Sequence, residues 1–125
     1  MLLAEDNPVN ALLARTLLQR AGCRVDVVGD GEEAVTAAAR GGYDLVFLDL
    51  RMPRLGGVAA ARRIRALPGD VGAVALVALT ADAGDAERAD ALEAGMNDYV
   101  TKPIDPERLA MVAARFTQGA KAATV

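Results

Sequence analysis

The sequence predicts a single α/β domain in which helices cover both faces of a five-stranded parallel sheet. Short apolar runs alternate along the chain with longer segments of helical pattern. The runs are apolar at consecutive positions, which is typical of parallel strands buried on both faces. Such alternation indicates repeated β-α units and a doubly wound sheet. A chain of 125 residues leaves room for one domain of this kind.

The strands are predicted from these apolar runs and from the glycine and acidic residues that bound them. The first run begins at the second residue of the chain. We therefore expect either a domain boundary at this point or a chain excised from a longer protein. The strands are predicted over residues 2–4, 25–28, 45–48, 75–79 and 98–100.

The helices are predicted from capping residues and from their apolar spacing. Asn7 followed by Pro8 is a start signal for the first helix, because Asn caps helices and Pro is favoured at the first position. Its inward-facing stripe is predicted to consist of Leu12, Leu13, Thr16 and Leu17. The remaining helices are predicted to begin near Gly31 or Asp30, Val58, Ala86 and Asp105, and to end near Gly41, Leu67, Ala94 and Phe116. Residues 1–118 are expected to form the domain and residues 119–125 a frayed C-terminal tail.

The residue types that are missing exclude several classes of protein. The chain has no His, so catalytic triads, His-ligated zinc and an internal phosphohistidine are excluded. Its single cysteine, Cys23, forms no internal disulfide and favours a reducing compartment. The net charge of −3 argues against direct nucleic-acid binding. No apolar run is long enough to cross a membrane, so we expect a cytoplasmic domain.

Polar residues follow four of the predicted strands at the point where each strand ends. They are Glu5 and Asp6 after the first strand, Asp49 after the third, Thr80 after the fourth and Lys102 after the fifth. Binding sites of open α/β sheets lie outside the carboxyl ends of the strands. The sequence therefore predicts that these five side chains converge on one edge of the sheet.

The charge of this cluster indicates a metal-assisted phosphoryl site. Three carboxylates and one lysine leave a net negative charge in a small cleft, which a proton or a divalent cation must neutralise. Oxygen ligands without His or paired Cys favour Mg²⁺, or alternatively Mn²⁺. A carboxylate beside such an ion can act as a nucleophile on phosphorus and form an aspartyl phosphate. Lys102 and Thr80 would hold the other phosphoryl oxygens.

Four motifs at the strand ends resemble those of receiver domains of two-component response regulators, a family that includes the chemotaxis response regulator. The resemblance covers essentially the whole chain and implies a flavodoxin-like (βα)5 fold with strand order 2-1-3-4-5. The motifs are Leu-Leu-Ala-Glu-Asp-Asn at residues 2–7, Val-Phe-Leu-Asp-Leu-Arg-Met-Pro at 46–53, Ala-Leu-Thr-Ala at 78–81 and Asp-Tyr-Val-Thr-Lys-Pro at 98–103. The first motif is similar to those of receivers attached to hybrid histidine kinases.

The resemblance implies a role for each matched residue in the metal site. Asp49 matches the phosphoacceptor, which is also a metal ligand. Asp6 matches the principal Mg²⁺ ligand, and Glu5 acts on the metal mostly through a water. The backbone carbonyl of Arg51 completes the protein ligands.

The resemblance also implies a switch. Thr80 matches the switch hydroxyl, Tyr99 the switch aromatic, and Lys102 the lysine that binds the phosphoryl group. Pro103 matches a proline that follows a cis peptide bond in this family. One segment departs from the family: the usual Met-Asp-Gly after Met-Pro is replaced around Leu55, Gly56 and Gly57, so the usual cap of the third helix is missing. We expect these glycines to loosen the loop.

The implied function is that of a phosphoacceptor rather than of an enzyme with a separate substrate. A histidine kinase or histidine phosphotransfer domain supplies the phosphoryl group in trans, and the domain catalyses its own phosphorylation and dephosphorylation. The face formed by the fourth helix, fifth strand and fifth helix is remodelled and can pair two copies in a homodimer. The parent chain is expected to be a hybrid histidine kinase.

Two alternatives remain open from the residues alone. The same acidic cluster is compatible with a Mg²⁺-dependent phosphohydrolase. Such an enzyme would require an acidic residue two positions after the nucleophile, whereas this chain has Arg51 there. The domain could also serve as a phosphorylation-independent interaction module, a reading that requires the loss of a key acid or lysine. Turnover of a phosphomonoester or failure to accept a phosphoryl group distinguishes these readings.

Overall fold

Five strands and five helices form in the part of the chain that the computed structural model describes, which comprises residues 1–52, 54–81 and 84–124. The motif residue Pro53 lies outside it. The strands are β1 (Leu2–Ala4), β2 (Asp26–Val28), β3 (Leu45–Asp49), β4 (Ala75–Thr80) and β5 (Asp98–Thr101). The helices are α1 (Pro8–Arg20), α2 (Gly31–Ala39), α3 (Gly57–Arg65), α4 (Asp85–Glu93) and α5 (Pro106–Thr124), with a short 3-10 helix over Gly69–Ala73. No described helix is both long and apolar enough to span a membrane.

The strands form one parallel sheet in the order β2-β1-β3-β4-β5. This order confirms the predicted doubly wound α/β fold. In the register, Ala4 lies opposite Leu48, and Asp49 lies opposite Leu79. The carboxyl ends of β1, β3 and β4 are therefore level, and the residues that follow them reach the same edge of the sheet.

Two apolar cores cover the two faces of the sheet, because successive side chains of a strand point to opposite faces. Leu2, Val46 and Leu76 belong to the core that also contains residues of α2, α3 and α4. Leu3 and Phe47 belong to the other core, which contains residues of α1 and α5. The apolar runs of β1, β3 and β4 lack polar alternation because both faces of these strands are covered in this way. The edge strand β2 was also predicted to be buried, but it is largely exposed.

The start of α1 was predicted correctly, but its buried face was not. The Asn7 side chain accepts hydrogen bonds from the backbone N–H groups of Val9 and Asn10. The residues that α1 buries are Ala11, Ala14 and Leu18, whereas Leu12 and Leu13 of the predicted stripe are exposed. Small alanine side chains allow the helix to approach the sheet closely, so the larger leucines remain on the outer side.

The last helix extends further than its apolar pattern predicted. α5 ends at Thr124 rather than near Phe116. Its last two turns are rich in alanine, which has the highest helix propensity, so the helix can continue without apolar periodicity. The division into a domain of residues 1–118 and a tail of residues 119–125 stays a prediction.

Gly57 and Gly31 make close backbone contacts beside the end of β3, and the expected loosening of the loop by its glycines stays a prediction. α3 begins at Gly57 without a side-chain cap, as the missing aspartate predicted. A Cβ atom on Gly57 would lie 2.4 Å from the Asp49 carbonyl oxygen. A Cβ atom on Gly31 would lie 2.0 Å from the Leu55 carbonyl oxygen. These glycines therefore permit two close backbone contacts beside the end of β3.

Candidate functional site

A pocket of about 230 Å³ opens at the carboxyl edge of the sheet. Four of the predicted site side chains, Asp6, Asp49, Thr80 and Lys102, line it together with Arg51. These four side chains lie at the ends of four different strands. The strand register brings the strand ends to the same edge of the sheet. Asn7 and Asn10 of α1 complete the wall next to Asp6.

An ion-pair cluster lies at the base of this pocket. The Lys102 Nζ atom is 2.8 Å from Asp49 Oδ2 and 2.7 Å from Glu5 Oε1. Asp49 is only 5% exposed, and Glu5 is also buried. The Arg51 backbone N–H donates a hydrogen bond to Asp49 Oδ1 at 3.0 Å. Both oxygens of Asp49 are therefore held by fixed donors in a partly dry site, which defines the position of the carboxylate.

The three charged groups shift one another's pKa values. Burial raises the pKa of Glu5 to about 7, and the neighbouring Asp49 carboxylate adds to this rise. Burial alone would raise the pKa of Asp49, but contacts with Glu5, Lys102 and the Arg51 N–H outweigh burial and lower it. Burial opposes the charge of Lys102, yet the neighbouring carboxylates of Asp49 and Glu5 raise its pKa. Asp49 and Lys102 are thus both ionised at neutral pH.

The carboxylates of this site fit a divalent metal ion. One ligand oxygen from each of Glu5, Asp6 and Asp49 lies within 4.8 Å of the others. Neither buried oxygen of Glu5 has a hydrogen bond of acceptable geometry within the described part of the chain. Buried carboxylate oxygens require compensation, and an all-oxygen set is typical of Mg²⁺ sites. Asp6 is the exposed member of this cluster, whereas Glu5 and Asp49 are buried.

Glu87 is a member of this site that the sequence analysis did not identify. The Thr80 hydroxyl donates a hydrogen bond to Glu87 Oε2 at 2.6 Å, and Glu87 Oε1 lies 3.1 Å from the Arg51 guanidinium. Glu87 lies near the start of α4, where acidic residues are common because they favour the helix dipole. No sequence signal therefore distinguished it from an ordinary surface acid.

Tyr99 lies apart from the pocket, on the surface between α4 and β5. Its ring is covered by the guanidinium groups of Arg88, 4.7 Å from the ring centre, and Arg108, 5.8 Å away. β5 nevertheless connects Tyr99 with the site, because Thr101 pairs with Thr80 and the Lys102 N–H donates a hydrogen bond to the Thr80 carbonyl. The peptide bond between Lys102 and Pro103 is cis.

A doubly wound sheet whose carboxyl edge holds a buried aspartate–lysine pair and a metal-compatible acidic cluster defines a phosphoacceptor class of domain. The family model described as the response regulator receiver domain matches residues 1–114. The chain therefore belongs to the response regulator receiver family and is a receiver domain of a two-component phosphorelay.

Individual relatives agree with this family. The sensor protein GacS of Pseudomonas syringae pv. syringae is 40% identical over 119 residues, which cover 94% of this chain and 13% of that protein. The magnesium-bound receiver domain of the sensor histidine kinase PA1611 from Pseudomonas aeruginosa PAO1 is 43% identical, with a TM-score of 0.85 and coverage of 92% and 93% of the two chains. The Saccharomyces cerevisiae complex of the phosphotransfer protein Ypd1 with the Ssk1 receiver domain matches at 32% identity and a TM-score of 0.78, covering 93% and 84% of the chains.

Proposed function

We propose that Asp49 accepts a phosphoryl group from a phosphohistidine of another protein and that this domain catalyses its own phosphorylation and dephosphorylation. The observation that carries the proposal is the geometry of Asp49: its carboxylate is buried, ionised and held by Lys102 at the base of an open pocket. The donor must be another protein because this chain contains no His.

For the phosphoryl transfer, the protein has to position the reacting groups and stabilise the negative charge on the phosphoryl oxygens. An Asp49 oxygen forms a bond to phosphorus while the bond from phosphorus to the histidine nitrogen breaks, and the imidazole leaves with the electron pair of that bond. Lys102 already contacts Asp49 and lies where it can hold a phosphoryl oxygen as negative charge develops. Thr80 lines the same pocket and supplies a hydroxyl donor.

The proposed metal ligands are Asp6, Asp49, the carbonyl of Arg51 and Glu5, the last through a water. When bound there, Mg²⁺ or Mn²⁺ would neutralise negative charge on the carboxylates and on the phosphoryl oxygens. Without a cation, the carboxylates would repel an incoming phosphate. The Glu5 oxygens support this assignment, because neither has a hydrogen bond among the described residues although Oε1 is ion-paired with Lys102.

The direct test is incubation of the chain with acetyl phosphate and Mg²⁺, followed by intact mass measurement. The wild type is expected to gain one phosphoryl group, and Asp49→Ala to gain none. Asp44→Ala is the matched control, because Asp44 is exposed at the other end of β3, and we expect it to be labelled like the wild type. Labelling of Asp49→Ala would contradict the proposal, and continuous release of phosphate from a phosphomonoester would indicate a phosphohydrolase.

An apolar patch on α1 supports a specific docking mode for the phosphodonor. Val9 is 74% exposed, Leu12 65% and Leu13 43%. This α1 patch follows directly on Asp6, Asn7 and the entrance of the pocket. We propose that a histidine phosphotransfer domain or histidine kinase packs helices on the α1 patch, which would place its phosphohistidine over Asp49. The relative seen in complex with the phosphotransfer protein Ypd1 agrees with this class of partner.

Replacing Leu12 by aspartate is expected to slow phosphorylation by a phosphohistidine protein at least about tenfold, because a charge would be buried in the contact. Labelling by acetyl phosphate is expected to remain unchanged, because the small donor needs no docking face. Met111→Asp on α5 is the control, since Met111 has a similar exposure of 66%. Rates are measured with a phosphohistidine protein that labels the wild type. Equal slowing of both variants would argue against a specific α1 contact.

The remaining assignments belong to the same proposal. Thr80 and Tyr99 act as the switch pair, and the face of α4, β5 and α5 changes on phosphorylation and can pair two copies in a homodimer. The chain spans 13% of the length of GacS, and we propose that it is the receiver of a longer hybrid histidine kinase that acts in the cytoplasm.

A further inference from the structure

The Thr80 hydroxyl has a defined acceptor outside the phosphoryl site. Thr80 is buried at the end of β4, and its hydroxyl donates to Glu87 Oε2 at 2.6 Å. A hydroxyl carries a single proton, so it can donate to one strong acceptor at a time. In this arrangement the Thr80 hydroxyl donates its proton to Glu87.

Glu87 is in turn held from a second side. Its Oε1 atom lies 3.1 Å from the Arg51 guanidinium, whose side chain is 79% exposed. An ion pair as exposed as this one contributes little by itself, whereas the hydrogen bond from the buried Thr80 is charge-assisted and short. The Glu87 carboxylate therefore joins the end of β4 to the segment that follows β3, through two residues that line the pocket, Thr80 and Arg51.

A phosphoryl group on Asp49 would compete with Glu87 for the same proton. Phosphorylation adds negative charge and strong acceptor oxygens at the base of the pocket. Thr80 and Lys102 are the pocket-lining side chains that can donate from the strand ends opposite Asp49. Thr80 can contribute to phosphoryl binding only by giving up its hydrogen bond to Glu87.

The same turn of α4 also contacts the proposed switch aromatic. Arg88, the residue after Glu87, lies over the Tyr99 ring at 4.7 Å. The first turns of α4 are thus attached to Thr80 by Glu87 and to Tyr99 by Arg88. A change at Thr80 has a direct physical route to the surface between α4 and β5.

We propose that Glu87 is a positioning residue that holds the Thr80 hydroxyl in the unphosphorylated arrangement, and that Thr80 exchanges Glu87 for a phosphoryl oxygen when Asp49 is phosphorylated. The inference deepens the proposed function and rests on Asp49 as the phosphoacceptor. Glu87 opposes the phosphorylated arrangement, and its release detaches the first turns of α4 from the end of β4.

The first experiment uses the metal-free 125-residue chain and does not depend on phosphorylation. Three-bond couplings of the Thr80 side chain, measured by NMR, report its χ1 rotamer. We expect one rotamer in the wild type and in Glu87→Gln, whose amide oxygen still accepts the hydrogen bond. We expect rotamer averaging in Glu87→Ala. A single unchanged rotamer in Glu87→Ala would overturn the inference.

The second experiment measures the affinity for beryllofluoride, a stable mimic of a phosphoryl group, in the presence of Mg²⁺. Glu87→Ala is expected to bind about tenfold more tightly than the wild type, because no hydrogen bond to a charged acceptor has to be broken. Glu87→Gln is expected to improve binding only about threefold, because a neutral acceptor competes more weakly but still competes. A merely structural role of Glu87 would weaken binding instead.

The control is Glu32→Ala, which likewise removes an acid paired with an arginine, here Arg63 on the more exposed α2–α3 surface. Its affinity is expected to stay within about twofold of the wild type. Equal gains in Glu87→Ala and Glu87→Gln would assign the effect to charge alone and overturn the inference. Absence of beryllofluoride binding to the wild type would instead contradict the proposed function, so the two failures are distinguishable.

Discussion

Replacing Lys102 by methionine is expected to slow phosphorylation of Asp49 by acetyl phosphate about 100-fold or more. The ammonium group is the one positive side chain in contact with Asp49 among the described residues, at 2.8 Å. Methionine has a similar length but leaves the charge that develops on the phosphoryl oxygens without this donor. The rate is measured by intact mass over time at saturating Mg²⁺. Phosphorylation at the wild-type rate would contradict the assigned role.

The same replacement is expected to destabilise the metal-free domain by about 3 kcal/mol near pH 7, because it removes the partner of two buried carboxylates. The pKa of Glu5, already about 7 in the folded chain, rises further, whereas its ordinary value is 4.5. Above that ordinary value the folded chain holds a proton that the unfolded chain has released. The free energy of unfolding of the variant therefore falls as the pH rises from about 5 to about 8. Urea unfolding followed by circular dichroism measures it.

A double variant separates stability from phosphoryl transfer. Glu5→Gln in the Lys102→Met background removes one of the two unpaired carboxylates. We expect it to regain most of the lost stability and to lose most of the pH dependence, because Gln does not titrate. Phosphorylation is expected to stay slow, because the donor to the phosphoryl oxygens is still missing. If the rate recovered together with stability, the role of Lys102 would be structural.

Replacing Gly31 by alanine is expected to lower the free energy of unfolding by about 3 kcal/mol, the upper part of the usual range for overpacking. Helix propensity alone would favour alanine in the first turn of α2 by up to about 1 kcal/mol. The added Cβ atom, however, would lie 2.0 Å from the backbone oxygen of Leu55 and 2.8 Å from its carbonyl carbon. Backbone atoms cannot rotate away, so α2 and the loop after β3 must separate.

Gly29→Ala is the matched control for this variant, because Gly29 lies two residues before Gly31, in the connection between β2 and α2. Its added Cβ atom would meet only the Glu33 side chain, at 3.7 Å. We expect its free energy of unfolding to stay within about 0.5 kcal/mol of the wild type. Both variants are compared by urea unfolding, and a Gly31→Ala variant as stable as the control would refute the packing argument.

Local sequence patterns, namely capping residues and apolar runs, predicted most of the secondary structure. The predicted first residues of β1, β3, β4 and β5 are those observed, and Asn7 and Asp30 cap their helices. β2 begins at Asp26 rather than at residue 25. Capping and apolar runs depend on residues a few positions apart, so a sequence shows them directly.

Packing between elements was predictable only in part. The exposed Leu12 and Leu13 look like core residues in a helical pattern, yet α1 packs through Ala11 and Ala14. The spacing of apolar residues predicts which face of a helix is apolar. The shape of the sheet that packs against the helix decides which residues of that face are buried. The glycine at position 31 likewise carried no signal of its tight contact, because Leu55 belongs to another part of the chain.

By itself, the sequence determined the fold class and the chemical types that gather at one sheet edge, because strand periodicity and topology rules need no distances. Only the tertiary structure decided which groups bond to one another. Lys102 and Asp49 are 53 positions apart, and the link from Thr80 through Glu87 to Arg51 joins three separate segments. Hydrogen bonds form only when donor and acceptor atoms are about 3 Å apart, and such distances between remote segments are reached only once the sheet and its helices have packed.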